Sequence, residues 1–458
     1  MKNKKVHLIG IGGSGMLSLA NLLVESGFSV SGSDIIRNEK FSKLEEKGVK
    51  IFLNHNPKNI LDSDIVIYSS AIKPNNVELI EAKKLNKEIF HRVDFIKKVT
   101  ENKKTIGIAG THGKTTTTAM ISYLFKEMNL SPSLYFGGEN DDFYFGSEKG
   151  TGEYFILETD EHDESFLNFN IHLPVVTNID RDHLTLDGPF KGDFNLLKES
   201  FLKFINNSES KKVILSYDCP NLLNLIDRIN KKILSYSIEK EDATLFGKIT
   251  KKENLKTIGE IFYNGKKIGE LNLSIPGEKY FLNSLGVILI SIEEGFNIEK
   301  TLKILEGFKG VKRRFEIIYD KYYTVIDDHA DHPTEIGVTL KIARDYFKDR
   351  RIISIIEPHR YSRVKDLYKD YPDSFKLSDI IILLPVDPAD ETITYGVSTE
   401  MILEEAKKRY KDKKIFYLDK KNVILFLKNE IRKEDVIIFM GPGKIKNLVK
   451  EFLIELEG

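Results

Sequence analysis

The chain has 458 residues, more than one hydrophobic core usually serves, so two or three domains are expected. Lys plus Arg and Asp plus Glu each number 69, and the resulting zero net charge removes any global electrostatic case for a nucleic-acid or anionic-membrane partner. One cysteine, Cys219, rules out an intramolecular disulfide, and nowhere do about 18 apolar residues run together as a membrane span requires. The start, MKNKKVHLIGIGGSG, has a basic head but meets glycines where a signal peptide has its apolar core, so a cytoplasmic protein is expected.

Three α/β domains are expected along the chain, at 1–100, 101–310 and 311–458. The first alternates short apolar runs (VHLIGI, SVSGSD, DIVIYSS, KEIFHR) with helical stretches (MLSLANLLVESG, NVELIEAKKLN), the pattern of βα units on a parallel sheet. Its opening loop, GIGGSGM, fits G-x-G-x-x-G between a strand and a helix, with Asp34 closing the next strand, which reads as Rossmann-like with NAD the commonest ligand. A polar stretch at 99–104, VTENKK, leads into the second region. There, further strands and helices are followed by a β meander at 243–275 with a hairpin turn at Asn264-Gly265. The third region returns to alternation (YTVIDD, RIISII, DIIILLPV, KIFYL, DVIIFMG), a second Rossmann-like pattern.

The second region begins with TIGIAG, a strand, and TTTTAMISYLFKEM, a helix, so GTHGKT lies where a strand turns into a helix. Backbone N–H groups and the helix dipole hold phosphate at such a turn. A lysine there adds charge for terminal phosphates, and a threonine offers a hydroxyl to Mg²⁺. The strict P-loop spacing is not met, because Ile108 stands where the first glycine belongs and Gly107 is one residue early. The lesser alternative on the local pattern alone is a glycine turn with an exposed lysine. Two phosphate cradles on two domains argue against a simple dehydrogenase and for a nucleotide-bearing substrate meeting a separate nucleoside triphosphate.

Acidic groups supply the metal side. FILETDEHDESF carries Glu158, Asp160, Glu161, Asp163 and Glu164, and VVTNIDRDHL carries Asn178, Asp180, Asp182 and His183, each after an apolar strand. Carboxylate oxygens suit Mg²⁺. By spacing alone such a charge-rich strand end reads as solvated before metal-binding, and His183 reads as a ligand or as a satisfied polar side chain. No paired His/Cys spacing supports zinc.

In order along the chain stand HLIGIGGSGM (7–16), SGSD (31–34), SSAI (69–72), GTHGKTTTTAM (110–120), LETDEHDESF (157–166), VVTNIDRDHL (175–184), LNSL (282–285), GVKRRFE (310–316), IDDHADHPTEI (326–336), EPHRYSR (357–363) and FMGPG (439–443). In this series the sequence resembles the Mur ligase family, most of all its members that join L-alanine to UDP-N-acetylmuramate. The resemblance implies an ATP-dependent amide ligase of peptidoglycan precursor synthesis that works through an acyl phosphate with Mg²⁺. Its partners would be UDP-N-acetylmuramate and a small amino acid, with no nucleic acid or membrane, in a monomer or weak homodimer. It implies that Gly12, Gly13, Ser14, Gly15, Asp34, Ser69 and Ser70 bind the UDP substrate, displacing the NAD reading. Gly110, Thr111, His112, Gly113, Lys114, Thr115 and Thr116 would hold ATP, with Thr115, Glu158 and His183 on metal. Asn283 would face adenine, Arg314 the phosphates and Asp328 the ribose; His359, Arg360 and Arg363 would take the amino-acid carboxylate or nearby substrate oxygens. Lys114, Glu158, His183 and Arg314 are the implied catalytic set.

Four departures from the family pattern qualify this. Asp327-Asp328-His329-Ala330-Asp331-His332-Pro333 replaces Asp-Asp-Tyr-Ala-His-His-Pro, removing an aromatic and reversing a potential charge beside the amino-acid site. Lys279-Tyr280 replaces His-Asn near adenine, Gly441-Pro442-Gly443-Lys444 replaces Gly-Ala-Gly-Asp, and His162 replaces a serine. They leave two alternatives, a ligase taking another amino acid or a recycled peptide, and a catalytically silent UDP-sugar binder.

Overall fold

The protein, as a computed structural model, is described at residues 4–457 apart from 138–142, 162–163, 183, 185–187, 390, 393 and 444. It divides into two compact units: Met1–Gly247, Ile261–Gly269 and Leu282–Phe308 form one, and Lys248–Glu260, Glu270–Phe281 and Lys309–Gly458 the other. Three sheets are present among the described residues, and the expected class is found: in chain order a Rossmann-like sheet, a P-loop-type parallel sheet that ends in a meander, and a second Rossmann-like sheet.

The first sheet holds β1 (Lys5–Ile9), β2 (Ser29–Ser33), β3 (Lys50–Phe52), β4 (Ile65–Tyr68) and β5 (Glu88–His91), in the order β3-β2-β1-β4-β5 with every pairing parallel. Helix Ser14–Glu25 returns the chain from β1 to β2 and buries Met16, Leu17, Leu19, Ala20, Leu22 and Leu23. The strand order reverses direction between β1 and β4, the place where open parallel sheets bind ligands beyond their carboxyl ends.

The second sheet holds β6 (Lys104–Ala109), β7 (Ser133–Tyr135), β8 (Ser147–Glu148), β9 (Tyr154–Glu158), β10 (Leu173–Val176), β11 (Lys212–Ser216), β12 (Lys232–Ser237), β13 (Leu245–Glu253), β14 (Lys256–Tyr263) and β15 (Lys266–Leu273). Its order is β15-β14-β13-β12-β11-β10-β6-β9-β7-β8. The central strand β6 is paired in parallel with β10 and β9, so the loops after all three open at the same end. Asn264 (φ 46°) and Gly265 (φ 75°) make the expected turn between β14 and β15 in the left-handed backbone that a tight hairpin demands. Of the polar stretch 99–104 only 101–103 lie between elements, since helix Arg92–Thr100 runs up to it and β6 begins at Lys104.

The third sheet holds β16 (Glu316–Asp320), β17 (Thr324–Asp328), β18 (Ile352–Ile356), β19 (Ile380–Leu383), β20 (Lys414–Tyr417) and β21 (Val436–Met440), in the order β16-β17-β21-β18-β19-β20. Only β16 is antiparallel to its neighbour. Alternation along each strand feeds two cores: Val325, Ile353, Ile355, Ile382, Ile437 and Phe439 face one, while Ile326, Ile352, Ile356, Ile381, Ile438 and Met440 face the other. Burial on both faces is why these strands read as unbroken apolar runs. Among the described residues no helix is long and apolar enough to cross a membrane.

Candidate functional site

β6 ends at Ala109 and helix Lys114–Glu127 follows, leaving 110–113 as the turn. Gly110 (φ +135°) and Gly113 (φ +81°) adopt backbone that side chains rarely do, and a Cβ on Gly110 would lie 2.1 Å from Thr177 Oγ1. The close fit lets the end of β10 fasten the loop. His112 N donates to Asn178 Oδ1 (2.9 Å), Asn178 Nδ2 and Thr177 Oγ1 both donate to His112 O (2.7 Å), and Asp180 N donates to Thr111 Oγ1 (2.9 Å). His112 Nε2 meets Asp180 Oδ2 at 3.0 Å. Between them Ile179 is itself held, its N–H donating to Cys219 Sγ (3.3 Å) and its carbonyl accepting from Asn221 Nδ2 (2.8 Å). The result is a rigid helix N-terminus suited to an anion. Asn283 stands beside it, 3.1 Å from where a Gly113 Cβ would be, and Thr116 is buried in the first helical turn.

The strand end carrying Glu158 to Glu164 was expected to be solvated, and at Glu161 it is not: this residue is 1% exposed. Because β9 lies beside β6, its carboxylate reaches Lys114, with Nζ to Oε1 3.0 Å and to Oε2 2.8 Å. Lys114 Nζ also donates to Gly110 O (2.5 Å) and lies 3.3 Å from Thr111 O. Burial pushes the Glu161 carboxyl up to about 7, with Lys114 opposing. At Lys114 burial works toward the neutral form, but Glu161 and its acidic neighbours outweigh it and hold the ammonium above its usual range. Thr115 Oγ1 donates to Glu158 Oε1 (2.9 Å), and Gly137 N donates to Glu158 Oε2 (3.1 Å). A hydroxyl and a carboxylate so placed beside a turn suited to an anion offer oxygens of the kind Mg²⁺ takes. His183 and the departure at His162 lie outside the described residues.

In the first sheet the loop after β1 closes against the ends of β2 and β4. Gly10 N donates to Ser33 O (2.8 Å), Gly12 N donates to Asp34 Oδ2 (2.8 Å), and Ser69 N donates to Ile9 O (3.2 Å). A Cβ on Gly12 would meet Asp34 Oδ2 at 2.8 Å. Gly13 caps helix Ser14–Glu25, and Ser70 Oγ lies 3.0 Å from His91 Nε2. Thus Gly12, Gly13, Ser14, Gly15, Asp34, Ser69 and Ser70 gather at the switch point. Sequence reasoning missed two neighbours. Tyr135 OH donates to Gly15 O (2.8 Å) and accepts from Arg92 Nη1 (2.8 Å), contacts that depend on sheet geometry and leave no local signature. Beneath the loop, Glu78 is fully buried and takes Ser33 Oγ (2.5 Å), Asn59 Nδ2 (2.7 Å) and His55 Nδ1 (3.1 Å). Burial favours its protonation, yet the His7 imidazole 3.7 Å away and the hydrogen bonds from Ser33 and Asn59 win and hold it at about 2.

The second unit carries the remaining expected residues. Asp328, at the end of β17, is buried with both oxygens engaged, Oδ2 by Thr339 Oγ1 (2.8 Å) and Phe315 N (3.1 Å), Oδ1 by Ala330 N (3.1 Å). Burial pushes its carboxyl up to about 6, with Arg314 and Thr339 opposing. Arg314 lies 3.8 Å from Glu335. Its neighbour Arg313, not singled out in the sequence, ties three segments together: Nε donates to Asp327 Oδ2 (3.0 Å), and Nη2 to Gly441 O (2.8 Å) and Pro442 O (3.2 Å). Asp331 does more than sit beside the residues expected to take the amino acid. It is paired with two of them, Oδ2 with His359 Nδ1 and Oδ1 with Arg363 Nη1, both at 2.8 Å, with the Asp331 and Arg363 side chains each 9% exposed. Arg360 takes positive φ (67°) and caps helix Tyr361–Leu367. Burial, then Arg314, push the His329 imidazole down to about 4, so it is neutral at neutral pH. Lys444 lies outside the described residues.

Comparison with known proteins matches the chain, in order, to the Mur ligase family catalytic domain (5–104), the Mur ligase middle domain (108–291) and the Mur ligase glutamate ligase domain (313–443). It is similar to the UDP-N-acetylmuramate–L-alanine ligase of Persephonella marina, 36% identical over 461 residues spanning 100% of this chain and 98% of that one. The enzyme of the same name from Fusobacterium nucleatum is 37% identical over 468 residues, 99% and 97% of the two chains. Among solved structures, the UDP-N-acetylmuramate-alanine ligase of Thermotoga maritima superposes with a TM-score of 0.84 at 27% identity over 99% of both chains. A murein peptide ligase of Psychrobacter arcticus shares the fold (TM-score 0.72, 23% identity, 99% of this chain and 98% of that one). With the three family domains in order and relatives of this identity matched from end to end, the chain belongs to the Mur ligase family.

Proposed function

We propose that this protein is a cytoplasmic, ATP-dependent ligase that joins L-alanine to UDP-N-acetylmuramate in peptidoglycan precursor synthesis. One observation carries it: two separate phosphate-type turns, one at the first sheet's switch point and one at the N-terminus of helix Lys114–Glu127, on a chain whose end-to-end relatives bear that enzyme's name. In this reading residues 1–100 bind the UDP substrate through Gly12 to Gly15, Asp34, Ser69 and Ser70; residues 101–310 bind ATP; and residues 311–458 bind the amino acid.

The substrate carboxylate is a poor acyl donor. Its oxygen attacks the γ-phosphorus of ATP, ADP leaves, and the amine of the amino acid then attacks the acyl carbon, loses a proton and expels phosphate. Lys114 and Arg314 spread the charge on the transferred phosphoryl group. Asn283 faces the adenine and Asp328 the ribose. Thr115 and Glu158, with His183, would hold Mg²⁺, which when bound neutralises phosphate oxygens. Arg360 and Arg363, with His359, suit the amino-acid carboxylate because a guanidinium fork binds two oxygens at once.

A second reading rests on Asp331, whose carboxylate already occupies Arg363 and His359. An acceptor pocket with that negative charge favours an amino acid other than alanine. Phosphate release from ATP with UDP-N-acetylmuramate and Mg²⁺, each amino acid being added separately, tests both. Release with L-alanine supports the first reading, release only with another amino acid the second, and silence with every amino acid refutes both.

A further inference from the structure

We propose that Glu161 is a competitor built into the nucleotide loop: its carboxylate contends with the phosphates of a nucleoside di- or triphosphate for the Lys114 ammonium, and so sets how tightly the nucleotide binds. This rests on the ATP reading above. An ammonium has three donors. Lys114 Nζ has four protein acceptors within 3.3 Å, namely Gly110 O, Thr111 O and both oxygens of Glu161. No donor is left over, so a phosphate oxygen gains Lys114 only by taking a donor from one of them. The two carbonyls belong to the loop itself and are fixed by its fold. Glu161 is the acceptor from a different loop, the one after β9, it is the one that carries charge, and at 1% exposure it has no solvent to turn to. An incoming phosphate therefore meets a second buried anion at the same cation, which costs affinity twice: through the hydrogen bonds exchanged and through repulsion in a low-dielectric site. The raised pKa of Glu161 agrees with a carboxylate that burial makes costly to leave unpaired. None of this follows for Glu158, whose two oxygens take Thr115 Oγ1 and Gly137 N.

The test is calorimetric titration of the full chain with ADP and Mg²⁺ for wild type, Glu161→Gln and Glu161→Asp, with thermal melts of each. Glu161→Gln keeps the shape and one acceptor but removes the charge, and its Kd for ADP should fall about tenfold, a change of ~1.4 kcal/mol. Glu161→Asp draws the charge back by one methylene and should tighten ADP by a smaller factor, which keeps the inference testable should the glutamine variant not fold. A purely structural Glu161 would lower the melting temperature and weaken ADP together. Equal or weaker ADP binding in folded Glu161→Gln overturns the proposal. If wild type binds UDP-N-acetylmuramate but no ADP, the ATP reading itself has failed.

Discussion

Replacing Lys114 by alanine should stop phosphate release and leave binding of the UDP substrate nearly unchanged, because the Gly12–Gly15 turn and the Lys114 turn stand on different sheets. Loss of one donor aimed at developing phosphoryl charge lowers kcat by about 10²–10³, ~2.7–4 kcal/mol. The structure adds a second cost that could be mistaken for the first. Lys114 is 13% exposed and Glu161 1% exposed, so the substitution strands a buried carboxylate, which by itself destabilises by ~3–5 kcal/mol. Since Glu161 already stands at about 7 with the ammonium beside it, its removal raises the carboxyl further and the group takes up a proton at neutral pH, bringing the loss toward the lower end. The double variant Lys114→Ala/Glu161→Gln has no stranded charge. It should regain most of the melting temperature and none of the activity. Phosphate release, calorimetric binding of UDP-N-acetylmuramate and thermal melts on the three proteins separate the effects. Phosphate release persisting in Lys114→Ala refutes the catalytic assignment, and loss of UDP-substrate binding in a folded variant refutes the separation of the two turns.

Arg313→Ala leaves the Asp327 carboxylate, 8% exposed, without its partner, so urea unfolding should show a loss of ~3–5 kcal/mol; an unchanged midpoint would remove Arg313 as a tie. Asp331→His should shift acceptor preference toward alanine when amino acids are compared by phosphate release, and an unchanged profile takes Asp331 out of that pocket. Glu78, held at about 2 against an ordinary 4.5, contributes about 3 kcal/mol above pH 4.5 that disappears as pH falls through 2. Glu78→Gln should accordingly be less stable than wild type at pH 7 and converge with it in acid, and a gap that persists at pH 2 contradicts the assignment.

The strands and the two glycine turns were legible because each is a local pattern: five-residue apolar runs, a glycine where φ must be positive, a helix directly after. The sheet orders, and therefore the partners of each charged group, were not. Glu161 is 47 residues from Lys114 and meets it only because β9 lies beside β6. In the sequence it was one of five acids on a strand end, with nothing to mark it as the buried one. Asp331 was visible as a charge reversal, but its hold on His359 and Arg363 depends on how the chain folds between 331 and 363. Arg313 and Arg314 are adjacent arginines with no local mark to tell them apart, and it is the fold that turns Arg313 to Asp327 and the Gly441 carbonyl.

Cys219 accepts the Ile179 amide in the middle of the segment whose neighbours, Asn178 and Asp180, clamp the turn at Gly110–Gly113. A thiol in that position is shielded from alkylating reagents for as long as the clamp is shut. With no other cysteine in the chain to compete for label, the rate at which it reacts is a clock for the opening of the loop's support, read without adding a probe to the protein.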